Sequence, residues 1–357
     1  MHSLIQSLKA RMLESTELLK QIACEDLRRV NRSLVTEHDY LRLGQSLLIR
    51  SKFADSGLIG VVSNTRRPTT FQKRMAALRF TLQQWQLDLL RGIVEPISDE
   101  QVKIHILAFE EQIECVQAMI ELRHRGFVGE RAPRNSKRRA LSGLPADWRV
   151  QLCERGRAGR YADAMLVAAL TGCRPGELER GVKVWKTQDA ATQETVVQFD
   201  VVGAKVKSNQ GQPLRRLTYG TNTPHPLLSM FLGLLQSEVD KSKIIRVESG
   251  MNFSAEVRRL AASLWPAHRH AVTAYCFRHQ WGADAKRNGD TETVSRGLGH
   301  LSLKTQRIYG TTSQGKAAHS LKPLRVEATR VVNRPSQDVS RALFYELESA
   351  RNPGRQE

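Results

Sequence analysis

The stretch "RHRGFVGERAPRNSKRRALSGLP", residues 123–145, constrains the fold most, because it separates two different patterns of apolar residues. Before it, Phe71, Met75, Leu78, Leu82, Trp85 and Leu89 recur four and three apart, which is one face of a helix. Val102, Ile106, Phe109, Ile113, Val116 and Ile120 repeat the pattern. Ser98 and Gln101 form a capping box ahead of this second run, and Ile97 and Val102 suit a hydrophobic staple. Residues 3–30 and 37–52 also read as helices, so the first part of the chain is expected to be all-α. The dividing stretch has glycines, prolines and little apolar content. From Arg123 to Arg139 it carries seven Arg or Lys against one Glu.

After the break the pattern is mixed. Helical runs are expected near 146–157, 160–172, 226–240, 253–265, 273–288, 290–299 and 302–309. "ETVVQFDVVGAKVK" and "PLRRLTY" have strand composition around the turn-like "SNQGQ". The expected fold is therefore a mainly α N-terminal domain joined to an α+β domain of many helices and a small antiparallel sheet. The divisions fall at 1–127 (helical), 128–143 (basic linker), 144–325 (α+β, the expected catalytic region) and 326–357 (tail with a short helix).

Charge narrows the partner. The formal net charge is +19 and the pI about 10.1. Self-repulsion makes such an excess costly, so it favours a polyanionic partner, nucleic acid before an anionic membrane. Arg134, Lys137, Arg138 and Arg139 are the expected phosphate contacts of the linker. No run of eighteen apolar residues indicates a transmembrane helix. The charged, amphipathic start does not read as a secretory signal. Five scattered cysteines without a C-x-x-C pair read as reduced thiols, so a cytoplasmic, nucleoid-associated protein without metal or cofactor is expected.

Several groups could handle a phosphate. "LTGCRPGEL" places Arg174 after an apolar helix, with Glu177 three residues on. "GAKVKSNQGQ" places Lys205 and Lys207 on one face of a strand at a hairpin edge. "AYCFRHQWGADAKRNG" carries Arg278 on a helix. "GLGHLSLKTQRIYG" holds His300 and Tyr309, nine residues apart. An unbroken helix would turn these two to opposite faces, about 13.5 Å apart along its axis. Gly299 and Ser302 provide a break that can bring them together. Each group alone has a plain structural explanation, such as an ion pair with Glu177 or a solvated lysine. Their order in the chain is what suggests a common site.

"TGCRPGEL", "AYCFRH" and "LGHLSLKTQRIYG", with the lysine-bearing hairpin between the first two, resemble the motif boxes of the tyrosine recombinases, the phage-type integrase family, over about residues 140–312. The resemblance implies an integrase-like catalytic fold with Tyr309 as nucleophile and Arg174 and Arg278 as phosphate-clamping arginines. It implies His300 as the histidine near the tyrosine and Lys207 as the hairpin lysine, with Lys205 as alternative. Tyr275 stands where the family usually has histidine, and His279 matches a common but less essential histidine. A tyrosine phenol attacking a phosphodiester would leave a 3′-phosphotyrosyl link and need no ATP. The implied function is site-specific recombination or integration of a mobile element in double-stranded DNA, by a tetramer on paired sites. A type IB topoisomerase-like enzyme and a non-catalytic DNA-binding protein are the other readings. "PSQDVSRALFYELESA" reads as a short helix with Val339, Leu343 and Leu347 on one stripe, for docking on its own domain or a neighbouring protomer.

Overall fold

The computed structural model describes residues 2–22, 32–93, 97–132, 136–208, 210–235, 242–289, 291–316 and 321–333. The chain divides into two compact units, 1–134 and 135–357. The described residues are mostly helical, with one antiparallel five-stranded sheet, an α+β arrangement.

The first unit is built from α1 (His2–Ile22), α2 (Leu34–Lys52), α3 (Gly57–Ser63), α4 (Pro68–Arg91) and α5 (Asp99–Arg125). α1 packs on α5 and α2 on α4. Of the periodic residues, Phe71, Leu78, Leu82 and Val116 are buried together, with Leu47, Val62 and Leu122. The capping box forms, with Ser98 Oγ accepting from Gln101 N at 3.2 Å and Gln101 Oε1 accepting from Ser98 N at 3.0 Å. Ile97 and Val102 share a small cluster with Leu8 and Phe109. α1 ends at Ile22, and the rest of the expected 3–30 helix lies outside the described residues.

The second unit begins with α6 (Lys137–Leu141), α7 (Trp148–Arg155), α8 (Ala162–Thr171) and α9 (Pro175–Arg180). The strands β1 (Val182–Gln188), β2 (Thr195–Val202) and β3 (Leu214–Gly220) follow. Then come α10 (Pro226–Leu235), β4 (Lys243–Ile245), α11 (Gly250–Leu264), α12 (Ala274–Asn288), α13 (Thr291–Gly297) and β5 (Arg325–Ala328). The sheet order is β4-β1-β2-β3-β5, with every pairing antiparallel. Val184, Phe199 and Leu217 lie side by side across β1, β2 and β3 and are buried. Trp148 stacks on Phe277 at 5.3 Å between ring centroids, which seats α12 against α7.

Four expectations are corrected. β2 stops at Val202, so Lys205 and Lys207 lie not on a strand face but on the loop between β2 and β3, where Lys207 bridges Gln210. Residues 302–309 do not form a helix: only Thr305–Ile308 makes a short 3₁₀ turn, whose backbone bonds reach back three residues rather than four. The second half of the basic stretch is not loop, since 137–141 is helical with Ala140 and Leu141 buried. β1, β4 and β5 complete the sheet although none was marked in the sequence; β5 straddles the expected end of the catalytic region at 325. The expected tail helix with Val339, Leu343 and Leu347 lies outside the described residues.

Candidate active site around Tyr309

Arg174, Arg278, His300 and Tyr309 come from four separate segments and converge in the second unit. α8 is buried from Ala164 to Thr171, and its end delivers Arg174 to the start of α9. Pro175 occupies the first turn of α9, where a missing N–H costs nothing. Glu177 caps that turn: its Oε2 accepts from Arg174 N at 2.7 Å and its Oε1 from Arg174 Nη1 at 2.6 Å. The same carboxylate accepts from Arg215 Nη2 at 2.8 Å. Glu177 and Arg215 have no exposed side-chain surface. Burial alone would raise the Glu177 pKa, but the Arg215 and Arg278 charges outweigh it and hold it far below the usual carboxylate range.

Arg278, on α12, is fully buried. Its Nη1 donates to the Gly172 carbonyl at 2.9 Å, and Nη2 donates to the Leu298 carbonyl. Nη2 also lies 3.1 Å from His300 Nε2. A guanidinium only donates, so His300 Nε2 accepts and the ring proton sits on Nδ1. Burial, then the Arg278 and Arg174 charges, push the His300 pKa far down, so the ring is neutral at physiological pH. Burial and the neighbouring Arg174 lower Arg278 itself to about 10, which leaves it charged.

Gly299 makes the turn that separates His300 from α13. Its φ of +67° is left-handed, a conformation that favours glycine. The turn, then the 3₁₀ segment, bring Tyr309 back over the histidine. The two rings stack at 5.2 Å with 23° between their planes. His279 touches the tyrosine at 5.0 Å, and the Arg278 guanidinium lies over its ring at 4.6 Å. Burial would raise the phenol pKa, but the Arg278 and Arg174 charges overcome it and hold it below the ordinary value. Gly310 lets this segment approach α12, since a Cβ there would stand 2.5 Å from the His279 carbonyl oxygen.

The other expected residues fall at the edge or elsewhere. Tyr275 is partly exposed near Arg174 and Tyr309, and burial raises its pKa. The two tyrosines are thus shifted in opposite directions, Tyr275 up and Tyr309 down. Lys207 is exposed on its loop, whose base is tied to the histidine turn: Gln212 N donates to the Gly299 carbonyl at 3.3 Å, and Gln212 Nε2 to the His300 carbonyl at 3.3 Å. Arg134 lies outside the described residues. Lys137, Arg138 and Arg139 sit on α6, which Ser136 caps. Arg138 faces inward, with Nε and Nη2 donating to the Ile308 and Tyr309 carbonyls at 3.1 and 3.3 Å.

Sequence reasoning missed Arg215 and Lys286. Arg215 shares strand parity with the apolar Leu217 and Tyr219, a signal that it faces inward. Lys286 has no local signal. Among the described residues, no group of three or more His, Cys, Asp or Glu side chains could hold a metal ion. No described helix is long and apolar enough to cross a membrane. A scan against protein-family models finds no match to the chain, and a search of curated proteins finds none either.

Proposed function

We propose that this chain is a tyrosine-type DNA recombinase or integrase with an integrase-like catalytic fold, acting on double-stranded DNA. The observation that carries the reading is the charge around Tyr309. Three guanidiniums, of Arg174, Arg215 and Arg278, gather there against the single carboxylate of Glu177. Such an excess of buried charge is costly unless an anion joins it, and the phenol beside it is already shifted toward ionisation. A phosphodiester and a phenolate are the anions that fit this chemistry.

In this reading the Tyr309 oxygen attacks phosphorus, the bond to the 5′-oxygen breaks, and a 3′-phosphotyrosyl ester remains. The 5′-oxygen leaves with a proton, for which Lys207 is the candidate donor. Attack by a 5′-hydroxyl from another strand reverses the step. Arg174 and Arg278 hold the non-bridging oxygens as their charge grows. His300, neutral and stacked on the tyrosine, fixes the ring. Four protomers on paired sites would exchange strands in sequence, as the resembled family does.

The direct test is incubation with a nicked suicide duplex taken from the DNA flanking the gene, followed by a denaturing gel. A covalent protein–DNA band is expected, and its absence with bound duplex overturns the reading. Arg174→Lys and Arg278→Lys keep the charge but lose the forked donor geometry. Each should slow cleavage roughly 100-fold while changing duplex affinity only a few-fold. Near-normal cleavage rates in both would remove them from the clamp.

A further inference from the structure

Tyr309 follows a turn too short to satisfy its own backbone. Helix carbonyls usually find partners four residues on, but the segment from 306 to 310 has no such continuation. Beyond the bond that the Gln306 carbonyl accepts from Tyr309 N at 3.2 Å, two cations supply the donors. Lys286 Nζ, near the end of α12, donates to the carbonyls of Gln306 at 2.8 Å, Tyr309 at 2.9 Å and Gly310 at 2.7 Å. Arg138, on α6, donates to those of Ile308 and Tyr309. Four consecutive or near-consecutive carbonyls are thus held, and that of Tyr309 is held twice. α6 is itself fastened to the next turn, because Gln314 Nε2 donates to the Arg138 carbonyl at 2.7 Å. Arg287, beside Lys286, donates to the Gly315 carbonyl at 3.2 Å.

We propose that Lys286 and Arg138 are positioning residues for the nucleophile: they fix the peptide planes on both sides of Tyr309 and so aim its hydroxyl at the phosphate held by the arginines. The inference rests on the recombinase reading. Arg138, expected from the sequence to contact a phosphate, is turned to the backbone instead, and Lys286 carried no such expectation. Their donors are directed at the backbone of the attacking segment, so their effect reaches the reaction through Tyr309. Charge-assisted bonds to carbonyls are stronger than neutral ones, and two anchors from different helices restrain the segment against both translation and rotation. A displacement of about 1 Å at a reacting group can cost on the order of 100-fold in rate.

The test uses the full chain and the nicked suicide duplex. Lys286→Met keeps length and removes the donors, and Lys286→Arg restores them. The methionine variant should bind duplex normally and form the covalent complex roughly 100-fold more slowly. The arginine variant should recover most of the rate, and Arg138→Gln should show a smaller loss. A second measurement separates aim from general damage. In a Tyr309→Phe background, hydrogen peroxide serves as a small soluble nucleophile that needs no positioned side chain. Peroxide-driven cleavage at the same phosphate should be equal with and without Lys286→Met. If it falls in parallel, Lys286 acts on the arginine clamp or the fold, and the proposal is overturned. Equal covalent-complex rates in wild type and Lys286→Met also overturn it. Failure of the wild type itself to form a covalent complex instead sinks the recombinase reading, which distinguishes the two failures.

Discussion

Tyr309→Phe will bind duplex DNA as the wild type does and will form no covalent complex. The substitution removes one oxygen and keeps the ring that stacks on His300, packs on His279 and lies beneath the Arg278 guanidinium. The melting temperature should therefore stay close to that of the wild type. The wild-type pH profile gives a second reading of the same group. Below the phenol's pKa the phenolate fraction grows about tenfold per pH unit, so the cleavage rate should rise with pH. Because the Arg278 and Arg174 charges hold that pKa below the ordinary value, the rise should flatten before pH about 10, and earlier still as Lys286, whose pKa burial pulls down to about 8, loses its charge. A covalent band from the phenylalanine variant removes Tyr309 as nucleophile and makes Tyr275 the next candidate. A rate still climbing steeply through pH 10 contradicts the proposed tuning.

Glu177→Gln should lower stability more than any other single change discussed. The side chain keeps its shape but loses the charge that compensates Arg174 and Arg215. Arg215 is fully buried, and its Nε and Nη1 already have no acceptor. Removing one partner of a buried pair typically costs about 3–5 kcal/mol, because the other charge is left uncompensated. The melting temperature should fall by roughly 10 °C. The linkage sign is that of a carboxylate whose folded pKa is depressed. The stability Glu177 contributes is present above its ordinary value of 4.5 and is lost as pH falls toward its much lower folded value. Thermal melts from pH 7 down to pH 3 should therefore show a shallower acid decline in the variant. Equal melting temperatures at pH 7 would mean that Glu177 is not the charge centre of this cluster. Cleavage should fall too, since Arg174 loses the carboxylate that orients it.

The legible parts of the molecule are those whose cause is local. The faces of α4 and α5 were readable because helical spacing alone decides which residues are buried, and the capping box of α5 lies within four residues. The meeting of His300 with Tyr309 was readable because Gly299 marks a left-handed turn just before His300, so the two do not share one unbroken helix. What was not legible depends on distant partners. β1 and β5 owe their form to ladder bonds with β2 and β3 more than to their own composition. Lys205 and Lys207 were placed on a strand because their alternation with Val206 imitates one, although the ladder stops at Val202. Arg138 was read as a phosphate contact of the linker, since nothing within the basic stretch shows that carbonyls about 170 residues away accept its donors. Lys286 escaped notice for the same reason.

Tyr309, Arg174, Arg278 and Glu177 converge within one chain, and the backbone of the tyrosine is tied to two helices of that chain. Under the proposed function, one folded copy would bring the tyrosine and its arginines together by itself, so mixing a Tyr309→Phe copy with an Arg174→Lys copy should not restore cleavage. Restored cleavage in the mixture would mean that copies lend each other the tyrosine.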